Sequence, residues 1–406
     1  MEIGAGPTLV RNVGASVLLP WLLFFIGGKS SLRETLMGFS VCLMTFGALT
    51  VILEVGTLLH VVDYRKVFST RIYAPARNPD YRLDRELIYI RHPHRSSRGS
   101  ALGGDITGLF AIPSPRLYAW DMRYDQNGFR NETDMISADI AVIGDSFVEG
   151  PNVSEKERMS TILGTRLGRK VVNLGQIGYG PQQELVVLKR FGLAMRPSLI
   201  IWAFFEGNDL KNSREYEAVK ADWEGFVAGI DSFGQRSFTK NALQAVENIV
   251  GHTKRSGLIR SCEVPGSGGV PERLYFLYPG APVSAVDEAE LNRTGEILAE
   301  AARLGAAQGA QFLVIFIPAK YRVFASFCRT DVNSELRSWT INNLPLQVAA
   351  LAKDLGGKAQ YLDLTPALVD SAVKGGLPYL SDDSHWSSEG HRVAAEAIIT
   401  RLAAGK

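Results

Sequence analysis

The chain has 406 residues, of which 46% are hydrophobic and 21% charged, and this balance excludes a largely disordered protein. Lys and Arg (44) nearly balance Asp and Glu (42), and a net charge of +2 argues against a protein that binds mainly to nucleic-acid phosphates. Three cysteines, at positions 42, 262 and 328, are too few for a disulfide scaffold, and their spacing with the six histidines does not match a zinc site.

The beginning of the chain has the composition of membrane segments. Two stretches without ionisable side chains, 12–28 and 35–53, approach the length of about 20 apolar residues that a helix needs to cross a bilayer. Because the linker between them is short, we predict two transmembrane helices in a hairpin within 1–62. The second helix extends to 62 if Glu54 and His60 lie at the membrane surface. A signal peptide followed by a buried core helix is the alternative interpretation.

The rest of the chain changes character twice. Residues 63–137 are rich in Arg, Pro, Gly and Tyr, and they predict an irregular preamble that contains strands. From residue 138 to the end at 406, short apolar runs alternate with stretches of helix length, except in an insertion at 211–284. This alternation predicts an α/β domain with a parallel sheet and helices on both faces. The predicted strands are 138–144, 169–175, 197–205, 311–317 and 359–364, and the predicted helices are 155–167, 182–195, 285–304, 336–355 and 388–404, with one more helix near 241–251 in the insertion.

Polar or flexible residues follow the first three predicted strands, at the sheet edge where open α/β proteins have their sites. Ser146, in the sequence Gly-Asp-Ser, is placed as a nucleophile or simply as the cap of the next helix. Gly178 follows the second strand and allows backbone to approach a ligand, or forms a plain turn. Asn208 follows the third strand and could donate its amide to an oxyanion, or form an Asx turn.

A candidate base stands just before the last predicted helix. Among the six histidines, His385 has two carboxylates, Asp382 and Asp383, close enough in sequence to orient it from within one turn. A serine becomes a good nucleophile when a base removes its proton and an acceptor holds the other nitrogen of that base. The sequence therefore predicts that Ser146 and His385 act together.

In this order the four segments resemble the SGNH (GDSL-like) hydrolase family, whose blocks are GDS, a glycine, GxND and DxxH. The resemblance covers about 139–402, leaves the insertion unmatched, and implies the flavodoxin-like SGNH sheet. It implies that Ser146 is the nucleophile, that His385 is the general base and that Asp382, three residues before His385, orients it. Asp383 is the alternative for that last role. The implied oxyanion hole consists of the Ser146 N–H, Gly178 and Asn208.

Two further segments, 127–131 and 317–321, look like bacterial membrane-linked or exported members of the family, some of which modify acetyl groups on cell-surface polysaccharides. The resemblance implies a serine ester hydrolase that acts through an acyl-serine on an acyl ester, such as an acetyl ester of a carbohydrate. O-acyl transfer to a polysaccharide hydroxyl by the same residues is the alternative, since the two differ only in acceptor binding and water exclusion. The candidate substrate-binding residues are Asp145, Lys320 and Tyr321.

The resemblance implies no metal and no organic cofactor. A non-catalytic carbohydrate-binding or membrane scaffold protein on the same fold is the alternative from another class. The expected partners are an acylated carbohydrate and the lipid bilayer, not nucleic acid, and the oligomeric state is left open.

The expected location is a bacterial inner membrane. Basic residues after the second span, such as Arg65 and Lys66, favour the cytoplasm for the catalytic part, whereas the resemblance to enzymes of exported polysaccharides favours the periplasm. We expect the periplasm, where Cys262 and Cys328 could pair if their Cα atoms come within about 7 Å.

Overall fold

The computed structural model describes residues 32–68, 80–230, 232–250, 256–266, 270–280, 283–357 and 359–404. Its strands are β1 (Tyr81–Asp84), β2 (Ile88–Arg91), β3 (Ser96–Leu102), β4 (Leu117–Arg123), β5 (Ile140–Gly144), β6 (Val171–Gly175), β7 (Leu199–Phe205), β8 (Ser261–Pro265), β9 (Pro271–Tyr275), β10 (Gln311–Ile317), β11 (Arg329–Thr330) and β12 (Ala359–Asp363). Its α-helices are α1 (Leu32–Leu58), α2 (Tyr64–Val67), α3 (Ser146–Glu149), α4 (Met159–Leu167), α5 (Pro181–Val187), α6 (Asp209–Ala221), α7 (Trp223–Ile230), α8 (Phe233–Arg236), α9 (Phe238–Val250), α10 (Ala285–Ala307), α11 (Lys320–Phe324), α12 (Leu344–Asp354), α13 (Thr365–Val373) and α14 (Ser388–Ala404).

These elements form two compact units. The first contains described residues of 1–78 and 222–253, and the second contains those of 79–221 and 254–406. The middle of the predicted insertion therefore groups with the amino-terminal helix, whereas its two ends group with the sheet. Sequence reasoning treated the insertion as one segment, because the alternation of predicted strands and helices is interrupted along its whole length.

Helix α1 dominates the first unit. Its segment Met37–Leu58 is long and apolar enough to cross a membrane, with a mean hydropathy of 1.9 and only 6% of its most apolar window buried. It corresponds to the second predicted span. The first predicted span, 12–28, lies outside the described residues, so a single candidate span is found among the described residues and the hairpin is not shown.

The end of α1 anchors the helices of the insertion. The Glu54 carboxylate accepts hydrogen bonds from Ser237 Oγ at 2.8 Å and from Thr239 N at 2.8 Å, which satisfies a backbone donor at the start of α9. Arg236, in α8, lies 2.7 Å from His60 Nδ1. Polar contacts of this kind explain why residues distant in sequence form one unit.

The core of the second unit is a five-stranded parallel sheet in the order β12-β10-β7-β5-β6. Numbered along the chain, this order is 2-1-3-4-5, the flavodoxin-like arrangement. Every residue of β5 and β7 is buried, because helices cover both faces of the sheet. The predicted α/β fold with a parallel sheet is confirmed.

Several helix boundaries differ from prediction, and the differences are largest in α12 and α5. Helix α12 begins at Leu344 rather than 336, because a separate 3₁₀ turn covers Glu335–Ser338 and Pro345 sits in the first turn of the helix. Helix α5 ends at Val187, and the chain continues through π and 3₁₀ turns to Met195. Hydrophobic periodicity does not distinguish these tighter or wider turns from an α-helix.

Small antiparallel sheets surround the parallel one. The preamble forms the hairpins β1–β2 and β3–β4. The insertion contributes β8 and β9, which pair with each other, and β8 also pairs with β11. A disulfide joins Cys262, in β8, to Cys328, next to β11, with 5.6 Å between the Cα atoms. The pairing that the sequence left open is therefore present in this structure.

Candidate active site

Three neighbouring strands position the candidate residues. Strand β5 lies between β6 and β7, and all three run parallel, so their carboxyl ends share one edge of the sheet. Ser146 follows β5, Gly178 follows β6 and Asn208 follows β7. The topology thus brings together three residues that are widely separated in sequence.

Ser146 begins the short helix α3. The Asp145 carboxylate accepts a hydrogen bond from Phe147 N at 2.9 Å and caps this helix, and Gly150 ends it in the left-handed conformation with φ 67°. Ser146 is only 3% exposed. The tight turn from strand to helix holds the hydroxyl at the sheet edge.

His385 connects the serine to a carboxylate. Its Nε2 lies 2.8 Å from Ser146 Oγ, and its Nδ1 lies 2.6 Å from Asp383 Oδ1. The same Asp383 oxygen accepts the His385 backbone N–H at 2.9 Å, so this carboxylate fixes both the ring and its backbone. The ring packs against Phe147, with 5.1 Å between centroids. Ser146, His385 and Asp383 form a continuous hydrogen-bonded array.

The residue that contacts His385 is Asp383, not Asp382 as the DxxH spacing predicted. The Asp382 carboxylate faces the preamble, where it accepts hydrogen bonds from Tyr118 Oη and, at 2.9 Å, from Arg116 N. The adjacent side chains of Asp382 and Asp383 point in different directions. Only Asp383, two residues before His385, bonds both the His385 ring and its backbone N–H. This placement corrects the expectation for Asp382.

A second carboxylate, Asp105 of the preamble, lies beside the array. Its oxygens accept hydrogen bonds from Ser384 N, at 2.8 Å, and Ser384 Oγ, and its own N–H donates to Asp383 Oδ2 at 2.9 Å. Asp105 Oδ2 is 3.9 Å from His385 Nδ1. Sequence reasoning missed Asp105, because 278 residues separate it from Asp383; its one local signal is the Gly-Gly-Asp turn after β3.

The charges of the array shift its pKa values in opposite directions. Burial alone would lower the pKa of His385, but the negative charge and hydrogen bond of Asp383 outweigh burial and raise it to about 9. Burial alone would raise the pKa of Asp383, but His385 outweighs it and lowers this pKa. Burial, and then the charge of Asp383, raises the pKa of Asp105 to about 6. The arrangement stabilises a positively charged imidazole.

Acidic side chains are also buried near the serine turn. Burial raises the pKa of Asp145 to about 6. The pKa of Glu184 is raised, first by burial and then by the charge of Asp145. The pKa of Asp209 is also raised, first by burial and then by the charge of Glu184. Asp145 is 1% exposed and caps α3, so its carboxylate has a local structural role, and its substrate contact stays a prediction.

The two implied oxyanion donors follow the neighbouring strands. Gly178 has φ 74°, in a turn closed by a 3.1 Å hydrogen bond from Tyr179 N to Gln176 O. These features define a type II turn, which requires a residue such as glycine at its third position. The side-chain oxygen of Asn208 is buried and has no hydrogen-bond partner among the described residues.

Lys320 and Tyr321 serve the protein rather than an open pocket. Lys320 Nζ donates to three carbonyl oxygens, those of Tyr275 at 2.7 Å, Ser381 at 2.9 Å and Asp383 at 2.9 Å. Burial lowers the pKa of Lys320 to about 7. Tyr321 Oη donates to the backbone of Leu336 at 3.1 Å and of Trp339 at 3.3 Å. Both donors therefore have protein acceptors in this structure, and their substrate-binding roles stay predictions.

One group of residues has the spacing of metal ligands. Asp105, Asp383 and His385 offer atoms that lie within 4.8 Å of one another. The hydrogen bonds from Ser384, from Asp105 N and from His385 already occupy these carboxylates. The two carboxylates and the imidazole are therefore already engaged in hydrogen bonds within the array.

The structure thus has an SGNH-like α/β fold, with a Ser–His–Asp array at the carboxyl edge of a flavodoxin-like parallel sheet. Residues 276–406 match the model of a family described as "SGNH hydrolase-like domain, acetyltransferase AlgX". This match confirms the SGNH resemblance of the sequence. The matched segment contains Asp383 and His385, whereas Ser146 lies before it. Among curated proteins, no sequence matches the chain.

The solved structures to which this chain is similar share little sequence with it. A GDSL-like lipase from Bacteroides thetaiotaomicron is 13% identical with a TM-score of 0.33, over 66% of this chain and 88% of that one. A catalytic mutant of Axe2, an acetylxylan esterase from Geobacillus stearothermophilus, is 12% identical with a TM-score of 0.32, over 66% and 94% of the two chains. Similarity at this level does not indicate a function for this chain.

Proposed function

We propose that this protein is a serine-dependent enzyme of the SGNH type that removes an acetyl group from an ester by forming an acyl-Ser146. The observation that carries the proposal is the hydrogen-bonded array of Ser146, His385 and Asp383, with 2.8 Å and 2.6 Å between partners. A serine that shares its proton with an oriented imidazole is an activated nucleophile.

The proposed reaction has two half-reactions, and in each of them His385 first accepts a proton and then gives one to the leaving group. Ser146 Oγ attacks the acyl carbon while its proton passes to His385 Nε2, and the carbonyl oxygen becomes an oxyanion. The N–H groups of Ser146 and Gly178 and the Asn208 amide would hold this oxyanion. The ester oxygen then leaves with the proton from His385. In the second half-reaction an acceptor hydroxyl attacks the acyl-serine, its proton passes to His385, and His385 returns a proton to Ser146 Oγ.

A second proposal concerns the acceptor. Water would make the protein an esterase, and a carbohydrate hydroxyl would make it an O-acetyltransferase. The similarity of residues 276–406 to an acetyltransferase family favours transfer. The disulfide between Cys262 and Cys328 supports an oxidising compartment such as the periplasm, where exported polysaccharides are found.

The test uses the full-length protein in detergent with an aryl acetate and a fluorophosphonate probe. Ser146→Ala should abolish labelling and lower kcat by on the order of 10⁴–10⁶. Ser198→Ala is the matched control, since Ser198 precedes β7 at the opposite edge of the sheet and should leave both readouts unchanged. An unlabelled and inactive wild-type protein would favour the non-catalytic binding protein instead.

Addition of oligosaccharide acceptors then separates transfer from hydrolysis. If transfer is the function, mass spectrometry should detect acetylated oligosaccharide, and the yield of free acetate should fall as acceptor is added. A constant yield of acetate without acetylated product would identify an esterase.

A further inference from the structure

The peptide unit between Ile177 and Gly178 has a defined orientation. It is the central peptide of the type II turn, and because a trans peptide is planar its carbonyl and its N–H point in opposite directions. A type I turn joins the same chain ends with this peptide turned over. The choice between the two turns therefore decides which way the Gly178 N–H points.

Tyr89, in strand β2 of the preamble, contacts the carbonyl side of this peptide. Its hydroxyl donates a hydrogen bond to Ile177 O at 2.9 Å. The Tyr89 ring is 7% exposed and packs against Tyr179 and Tyr81, with centroid distances of 5.4 and 5.5 Å. A Cβ atom at Gly178 would lie 2.7 Å from the Tyr89 oxygen, so the hydroxyl sits directly against the turn.

The preceding peptide is fixed from the serine side. Ile177 N donates to Glu149 Oε2 at 2.7 Å, and Glu149 stands at the end of α3, the helix that begins with Ser146. The other Glu149 oxygen accepts hydrogen bonds from Arg91 at 3.0 Å and from Tyr124 at 2.8 Å. Glu149 is fully buried, so the turn is tied to both the nucleophile helix and the preamble.

We propose that Tyr89 is a positioning residue that directs the Gly178 N–H toward the oxyanion of the reaction, an inference that rests on the proposed function. By donating to Ile177 O on one side of the peptide, its hydroxyl stabilises the type II turn and keeps the N–H on the opposite side. Without that hydroxyl the type I orientation becomes competitive, and the oxyanion loses a donor. Since the donor acts mainly in the transition state, the loss falls on kcat rather than KM.

The test compares Tyr89→Phe with Tyr81→Phe in the full-length protein, using kcat and KM for an aryl acetate. Both substitutions keep the aromatic ring in the same cluster and remove one hydroxyl. We expect Tyr89→Phe to lower kcat at least about tenfold, up to the roughly 10²–10³ of a lost oxyanion donor, with KM and the melting temperature unchanged. Tyr81→Phe should leave kcat unchanged.

Three results would overturn the assignment: an equal kcat for the two variants, an effect on KM alone, or a kcat loss that merely follows a lower melting temperature. Absence of Ser146-dependent turnover in the wild-type protein would instead refute the proposed function, and the role of Tyr89 with it. Wild-type turnover with an unaffected Tyr89→Phe would refute only the positioning role.

Discussion

At the scale of single residues, one carboxylate decides how His385 is held. Asp383 bonds both the ring and the backbone of His385, whereas Asp382 bonds the preamble. Asp383→Asn should therefore lower kcat by about 10⁴, the size of effect known for the orienting aspartate of serine proteases. Asp382→Asn should cost far less. Steady-state kinetics of the two amide variants checks this, and a larger loss for Asp382→Asn would return the role to the DxxH position.

The same contact predicts a pH dependence. A general base works in its neutral form, so kcat/KM should rise with pH through the His385 pKa of about 9. Asp383→Asn removes the anion that raises this pKa, although Asp105 and Asp145 remain nearby, so the rising limb should move to lower pH while the plateau falls. The measurement is kcat/KM for an aryl acetate across the pH range. An unmoved limb in the variant would show that another group titrates.

At the scale of elements, the disulfide should hold β8 to β11. It closes a loop of 66 residues, and removing a bond of this kind typically lowers the free energy of unfolding by about 2–5 kcal/mol. We expect this loss in the double variant Cys262→Ala, Cys328→Ala, measured by denaturant unfolding in detergent. Cys42→Ala is the matched control, because Cys42 is the free cysteine of α1. Equal stability of the two variants would contradict the structural role.

The preamble contributes several contacts to the candidate site. It supplies Asp105 to the array and Tyr89 to the turn at Gly178, and it engages Asp382 through Tyr118. These contacts explain why a segment without helical or strand periodicity carries buried polar residues: their partners lie in other elements. The preamble is therefore part of the candidate site rather than a linker.

At the scale of the whole molecule, α1 predicts how the protein behaves in cells. Most of its apolar surface is exposed, which a membrane would cover. We expect the protein to stay with membranes after an alkaline wash and to be released by detergent. The double substitution Leu43→Arg, Met44→Arg, in the apolar segment, should weaken this retention. Each arginine costs about 2.5–3.5 kcal/mol at the centre of a spanning helix. Leu43→Met with Met44→Leu is the control, and full retention of the Arg variant would contradict the anchor.

The compartment can be read from the cysteines of the same protein. In the periplasm, Cys262 and Cys328 should react with a membrane-impermeant thiol reagent on intact spheroplasts only after reduction. Free thiols that react only after lysis would place the catalytic unit in the cytoplasm.

The sequence by itself determined the parallel α/β sheet and the approach of Ser146 to His385. Apolar runs of strand length predict the sheet, and the pairing follows from a serine at a strand end and a histidine next to carboxylates. Only the tertiary structure decided between Asp382 and Asp383, because neighbouring side chains with the same chemistry differ only in the direction they point. It also gave Lys320, Asp105, Tyr89 and the middle of the insertion their contacts, since their partners are distant in the chain and no spacing rule connects them.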